Sequence, residues 1–391
     1  MSPTAVFLAS PARRRMSVLA VSAALFGLSN SVFDLIGPLW ATSDLGLDAA
    51  GWAHLRALRF TGTFVGILAL GILAERIGSR RMAALTLALG GCALVVMARG
   101  SYAQVLLCMP LFGALVSTTF VNFNALTQQV STTRQGMANG IYRGIGAGMA
   151  IIGPVLATTL AGHFGSWAPV IDLAGIATAI GGLAILLYPE QRSDARRSLA
   201  EVLGGFAAAA RNRPLWRFII LDQLMAFTQG AMAAFATLRL TRELGLGEAA
   251  FGLLCTIGAA LGLGAVLLAG MLAQRMPLSW GMAAAWLGSA VGSLILGLSS
   301  SLPLSCLAVL LVAMSWPVTS VPGSMWIGLA GGANATAFTT HKIVQSGVAA
   351  GSMALVSWLQ PHTGIQPLLL VGGLLGLPLV ALMLRMRDPR G

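Results

Sequence analysis

Twelve stretches of apolar residues follow one another along the 391-residue chain, each long enough to cross a lipid bilayer and separated by short polar gaps. They cover 16–40, 52–74, 81–98, 102–127, 137–162 and 167–188, then 216–239, 250–274, 279–299, 303–326, 336–359 and 365–386. A helical crossing takes about 20 apolar residues, so spans of this kind fill nearly the whole length. With 57% hydrophobic residues, 9% charged residues and a mean hydropathy of +0.83, the chain cannot dress a soluble globule in polar surface. It reads as an all-α membrane protein. The run from Met16 to Trp40, behind Arg13-Arg14-Arg15, starts like a signal peptide but is long enough to span, and we read it as an uncleaved first helix.

The net charge of +12 is carried almost entirely by arginines in short loops. Orientation in a membrane explains it better than nucleic-acid binding, for which no soluble segment is large enough. Arg13 to Arg15, Arg76, Arg80, Arg81, Arg134, Arg275, Arg385, Arg387 and Arg390 fall on one side. Arg99, Arg239 and Arg242 fall on the other, offset by Asp44, Asp48, Glu243 and Glu248. That bias predicts cytoplasmic termini, here in a bacterial inner membrane. Cys92, Cys108, Cys255 and Cys306 lie inside apolar runs without ligand spacing, so neither a disulfide framework nor a metal site is expected. No Gly-x-x-x-x-Gly-Lys-Ser/Thr loop exists and Lys342 is the single lysine, which excludes nucleotide hydrolysis. The loops hold no catalytic constellation, and no cofactor is expected.

Between the second and third runs lies Gly71-Ile72-Leu73-Ala74-Glu75-Arg76-Ile77-Gly78-Ser79-Arg80-Arg81, read as a tight cytoplasmic loop. Gly270-Met271-Leu272-Ala273-Gln274-Arg275 repeats its start 199 residues later (270 − 71). Asp44-Leu45-Gly46-Leu47 recurs at the same offset as Glu243-Leu244-Gly245-Leu246, and Trp52 aligns with Phe251. A duplicated half is the simplest account. The boundaries expected are a six-helix bundle over 1–188, a cytoplasmic linker over 189–215 containing an amphipathic piece from Ser198 to Ala210, and a second bundle over 216–391.

The 71–81 segment resembles the loop motif of the major facilitator superfamily, Gly-x-Leu-Ala-Asp-Arg-x-Gly-Arg-Lys/Arg, with Glu75 for the Asp and Ser79 for one basic residue. The resemblance implies twelve transmembrane helices in two pseudo-symmetric six-helix bundles, rocking about a midplane site. It also implies a cytoplasmic gate formed by Gly71, Glu75, Arg76, Gly78, Arg80 and Arg81. Arg134-Gln135-Gly136-Met137-Ala138-Asn139-Gly140, followed by Gly144, Gly148, Gly153-Pro154 and Gly162, resembles the fifth-helix pattern of exporters, with Met149 and Ala157-Thr158 departing from it. The same glycines are explained equally by packing. Met109 stands where drug/proton antiporters of the superfamily carry an Arg, which weakens that reading.

Ionisable groups inside hydrocarbon cost roughly 2.5–3.5 kcal/mol each on insertion scales, so they are functional candidates. Asp34 and Arg59 fall at similar depth in the first two helices and are expected to pair, as a structural ion pair, a coupling group or a snorkelling contact. Arg143 and Lys342 are themselves 199 residues apart, two turns into helices 5 and 11, accompanied by Tyr142 and His341. The resemblance puts these helices beside a central cavity, where the two cations would attract an anion; each could instead serve a structural pair. Asp222, in helix 7, suits a proton carrier or a plain pair with Arg217. Asn30, Asn122, Gln223 and Trp316 are candidates to line the cavity, with ordinary packing as the alternative, and Pro317 and Pro322 are expected to break helix 10.

The expectation is therefore a monomeric secondary transporter of the efflux type, exporting a small organic anion or amphipathic metabolite, with protons and the lipid bilayer as its other partners. The alternatives are multidrug/proton antiport of neutral or cationic compounds, uptake of an organic anion, or a membrane receptor without transport.

Overall fold

The computed structural model describes residues 11–130, 135–189, 204, 208–273, 275–331 and 335–389. The regular structure within them is helical. The first half holds α1 (Pro11–Ser43), α2 (Ala49–Ile77), α3 (Ser79–Arg99), α4 (Tyr102–Val130), α5 (Gln135–Phe164) and α6 (Ala168–Ile185). The second half holds α7 (Arg213–Thr228), α8 (Gly230–Leu238) running into a π-helical turn over Arg239–Glu243, α9 (Glu248–Leu272) and α10 (Leu278–Leu298). It continues with α11 (Leu302–Val318), α12 (Ser320–Gly331), α13 (Ala335–Thr363) and α14 (Ile365–Leu384).

Since α7 and α8 form one broken rod and α11 and α12 another, the described helices make twelve rods. Ten of them are long and apolar enough to cross a membrane. The other two are α2, which carries Arg56 and Arg59, and α13, which carries His341 and Lys342 among several hydroxyl and amide residues. Both are 29 residues long but more polar.

The charged 71–81 segment is not a loop. Helix α2 runs on to Ile77, α3 begins at Ser79, and the break between them is Gly78 alone, with φ 87° and ψ 148°. A residue with a Cβ is strained there, which is why one glycine suffices as the turn. Charge marked the end of the apolar run but did not interrupt the helix. The second-half counterpart ends its helix earlier, at Leu272, and Gln274 lies outside the described residues. Most of the expected amphipathic piece between 198 and 210 also lies outside them.

The duplication is visible in the turns. Gly46 and Gly245 adopt φ 66° and 73°, and each is followed by a leucine whose N–H reaches back six residues, Leu47 to Ala41 O and Leu246 to Leu240 O, both at 2.9 Å. Each bond satisfies a carbonyl near a helix end, and the turn that makes it uses a left-handed glycine. Packing repeats as well: α3 lies on α4 and α6, and α10 lies on α11 and α14. Glycines set these contacts, because without a strong hydrophobic drive between lipid-embedded helices close backbone approach is what holds them. A Cβ on Gly91 would strike the Gly175 carbonyl of α6, and one on Gly373 would come 2.8 Å from the Ala290 carbonyl of α10.

Two compact units result. One comprises residues 1–40 and 58–197, the other 41–57 and 198–391. The tip of the α1–α2 hairpin thus belongs to the second unit, where Ser357 Oγ donates to the Ala50 carbonyl at 2.8 Å and Arg56 donates to the Ala233 carbonyl. The start of each unit's first rod also caps a neighbouring helix. Arg15 donates to the Gln129 carbonyl at the end of α4 (3.1 Å), and Asn212 to the Ala330 carbonyl at the end of α12 (2.6 Å). Different residues thus satisfy equivalent orphan carbonyls.

Candidate functional site

In the first unit, α2 and α4 are pressed together at two glycines. A Cβ on Gly62 would overlap the Pro110 carbonyl, and one on Gly113 would overlap that of Arg59. This approach brings the Arg59 side chain between Phe33 of α1 and Phe112 of α4, with its guanidinium carbon 5.4 and 5.2 Å from the two ring centroids. Asn30 and Asp34 sit one turn apart on α1. Arg59 Nη1 donates to Asp34 Oδ1, Nη2 to Asn30 Oδ1 at 3.0 Å, and Asn30 Nδ2 to Asp34 Oδ2 at 2.9 Å. Each of the three side chains is bonded to the other two. The amide's orientation is fixed by this ring, since its oxygen must face the cation and its nitrogen the carboxylate. Aromatic faces contribute roughly 0.5–2 kcal/mol toward holding a desolvated cation. The aromatic cage was not legible in the sequence; the pairing of Asp34 with Arg59 follows from their depth.

The second unit holds a different cluster. Phe218 and Asp222 are one turn apart on α7, and Phe218 stacks on Trp326 of α12 (5.2 Å) and lies nearly parallel to His341 of α13 (6.4 Å). His341 Nε2 is 2.8 Å from Asp222 Oδ2, which also accepts from Gln223 Nε2 at 2.7 Å. Gln223 is buried, and the side chains of His341 and Asp222 are 12% and 17% exposed. The pairing of Asp222 with Arg217 is corrected: five residues along a helix turn the side chain by about 140°, and Arg217 is exposed on another face. Two residues expected at the substrate, His341 and Gln223, therefore meet the carboxylate expected to carry a proton.

The remaining candidates are dispersed. Lys342 is exposed and donates to Gln345 Oε1 at 2.7 Å. Tyr142 packs edge-on against Phe123 at 6.0 Å. Arg143 falls on α5, but its side chain lies outside what is described. Asn122 is buried and donates to the Thr118 carbonyl of its own helix at 2.8 Å. Trp316 is exposed beside the interruption at Thr319, which follows Pro317 as expected. Of the motif residues, Arg76 and Arg81 are exposed, and Arg80 donates to the Tyr188 carbonyl at 3.0 Å. The surroundings of Gly71 and the side chain of Glu75 lie outside the described set.

Sequence reasoning missed the interruption at Gln229, which carries no proline signal. There Ser352 Oγ donates to the Phe227 carbonyl at 2.8 Å, and Ser293 Oγ donates to Gln229 Oε1 at 3.1 Å. It also read Arg15 only as a topological charge.

Two helical units built of long apolar rods define a class, that of integral, multi-pass membrane proteins. The family model of the Major Facilitator Superfamily matches residues 19–340, and the chain belongs to that superfamily, as a transporter and not an enzyme. No curated protein sequence matches it. Among solved structures, a POT family transporter in complex with 5-aminolevulinic acid is similar at a TM-score of 0.79 and 13% identity, covering 96% of each chain. The nucleoside transporter NupG is similar at 0.76 and 15%, covering 96% of this chain and 100% of that one. A D-xylose-proton symporter is similar at 0.70 and 15%, covering 97% and 99%. At such identities the likeness is one of fold.

Proposed function

We propose that the protein is a secondary active transporter that exports a small organic anion or amphipathic metabolite by alternating access, driven by protons. The observation that carries this reading is the adjacency on α13 of His341, bonded to the Asp222 carboxylate, and Lys342, whose ammonium is exposed. A titratable pair and an anion-attracting cation one residue apart would let the arrival of one charge alter the hold on the other. Arg143, at the repeat position of Lys342, is the matching cation in this proposal. Export is favoured by the resemblance of the α5 glycines to the exporter pattern; of these, Gly153 packs against Ser31 of α1, and Gly144 and Gly148 meet no neighbour among the described residues. A buried Met109 in place of an arginine speaks against standard multidrug antiport.

The test is a melting screen of purified protein against anionic, neutral and cationic metabolites, repeated with Arg143→Gln and Lys342→Gln. Stabilisation confined to anions in the wild type, and weakened in both variants, is the expected outcome. Equal stabilisation by anions in all three proteins would remove the anion reading.

A further inference from the structure

We propose that Asp222, His341 and Gln223 form a one-proton switch in which the Gln223 amide turns over when the carboxyl group is protonated. This rests on the reading of the protein as proton-driven and says where the proton sits and what reports its arrival.

The three polar atoms make a closed triangle. Asp222 Oδ2 is 2.7 Å from Gln223 Nε2 and 2.8 Å from His341 Nε2, and the two nitrogens are 3.1 Å apart. An ionised carboxylate only accepts and an amide nitrogen only donates, so His341 must carry hydrogen on Nε2 and donate it to Asp222. Two donors then share one oxygen and have nothing to offer each other. The same orientation leaves Gln223 Oε1 buried without a hydrogen-bond partner. That acceptor can gain a partner only if the amide turns toward a group able to donate to it.

Protonation of Asp222 supplies that arrangement. The proton comes from water and bonds to Oδ2, which can then donate. With the amide rotated by half a turn, Gln223 Oε1 takes the vertex now held by Nε2 and accepts that hydrogen. The resulting chain runs from His341 Nε2–H to Asp222 Oδ2, and from its O–H to Gln223 Oε1. Each donor at the vertices of the triangle then has an acceptor and the amide oxygen gains a partner, while the amide nitrogen takes the position that the oxygen leaves. Loss of the proton reverses each step, and no other bond changes.

Among the described residues no other titratable group is recorded in contact with this pair. The helices packed most closely on α7 are α8, α12, α13 and α14, and α8, α12 and α14 carry no titratable residue. On α7, Arg213 and Arg217 are exposed. On α13, Lys342 reaches Gln345, and His362 sits at the far end of the helix against Trp358. Phe218 and Trp326 form an apolar wall beside the imidazole. Gln223 is thus a positioning residue: it holds the carboxylate in one state and the carboxyl group in the other.

Infrared difference spectroscopy of the reconstituted protein, recorded between neutral and acidic buffer, tests this without any substrate. A protonated-carboxyl band should appear on acidification together with a change in a side-chain amide band. Asp222→Asn should remove the carboxyl band, and Asp222→Glu should move it, which keeps the test alive if the first variant does not fold. Gln223→Leu should keep the carboxyl band at a shifted frequency and abolish the amide change, while Asp34→Asn should leave both. A carboxyl band undiminished in Asp222→Asn and unmoved in Asp222→Glu overturns the proposal, as does an amide change that survives Gln223→Leu. Wild-type flux indifferent to a pH gradient, with both bands intact, would overturn the proton-driven reading and support the switch as a proton site on its own.

Discussion

Arg59 makes its stabilising contacts through features that only a guanidinium has. Its planar fork reaches Asp34 and Asn30 at once, and its flat faces meet Phe33 and Phe112. Replacing it by leucine strands the Asp34 carboxylate, and breaking one partner of a buried pair costs roughly 3–5 kcal/mol. Asp34 keeps 37% of its side-chain surface exposed, so the loss belongs at or below the low end of that range. Arg59→Leu should therefore lower the thermal midpoint in detergent clearly, and Arg59→Leu with Asp34→Leu should recover part of the loss. An unchanged midpoint in the single variant would mean that the ring is not stabilising. Arg59→Lys should fall between wild type and leucine, because an ammonium keeps the charge but loses the fork.

Glycines at the element scale do distinct jobs, and substitution separates them. Gly62→Ala would drive a methyl into the Pro110 carbonyl where α2 meets α4, an overpacking that costs about 1–3 kcal/mol or more because backbone must move. Gly144→Ala on α5 meets nothing among the described residues and should be silent or slightly stabilising through helix propensity. Similar midpoints for the two variants would contradict the close approach of α2 and α4. Gly46→Ala and Gly245→Ala should each lose about 1–2 kcal/mol, the usual strain of a left-handed residue, and by similar amounts because the caps are equivalent. The sequence carried much of this scale. Apolar runs located the rods to within a few residues, and the shared offset of Gly46 and Gly245 marked equivalent turns. Charge misled at Gly71–Arg81, because Glu and Arg continue a helix beyond the apolar run as readily as they form a loop. Pro317 announced the interruption in the tenth rod, whereas that at Gln229 carries no proline; its local signal is the weaker one of Gly230, whose missing side chain lets Ser352 approach. The partnership of Asp222 with His341 spans 119 residues, beyond anything spacing alone can show.

Across the whole molecule the scaffold is duplicated and its polar chemistry is not. At the shared offset Asn30 corresponds to Gln229, but Asp34 corresponds to Ala233, Arg59 to Gly258, Asp222 to Ala23 and His341 to Tyr142. One unit carries an ion pair caged by aromatic rings, the other an acid–imidazole pair with a buried amide beside it. In the account proposed here the first is a fixed structural charge pair and the second takes up and releases the proton that drives transport. The most direct measurement is proton movement in vesicles loaded with a pH-sensitive dye and containing the purified protein, on addition of a panel of mono-, di- and tricarboxylates. The account predicts carboxylate-dependent proton flux that is lost in Asp222→Asn, is lost in Lys342→Gln, and persists in any Asp34 variant that still folds. Proton flux retained in Asp222→Asn, or no carboxylate-dependent flux in the wild type, would contradict it.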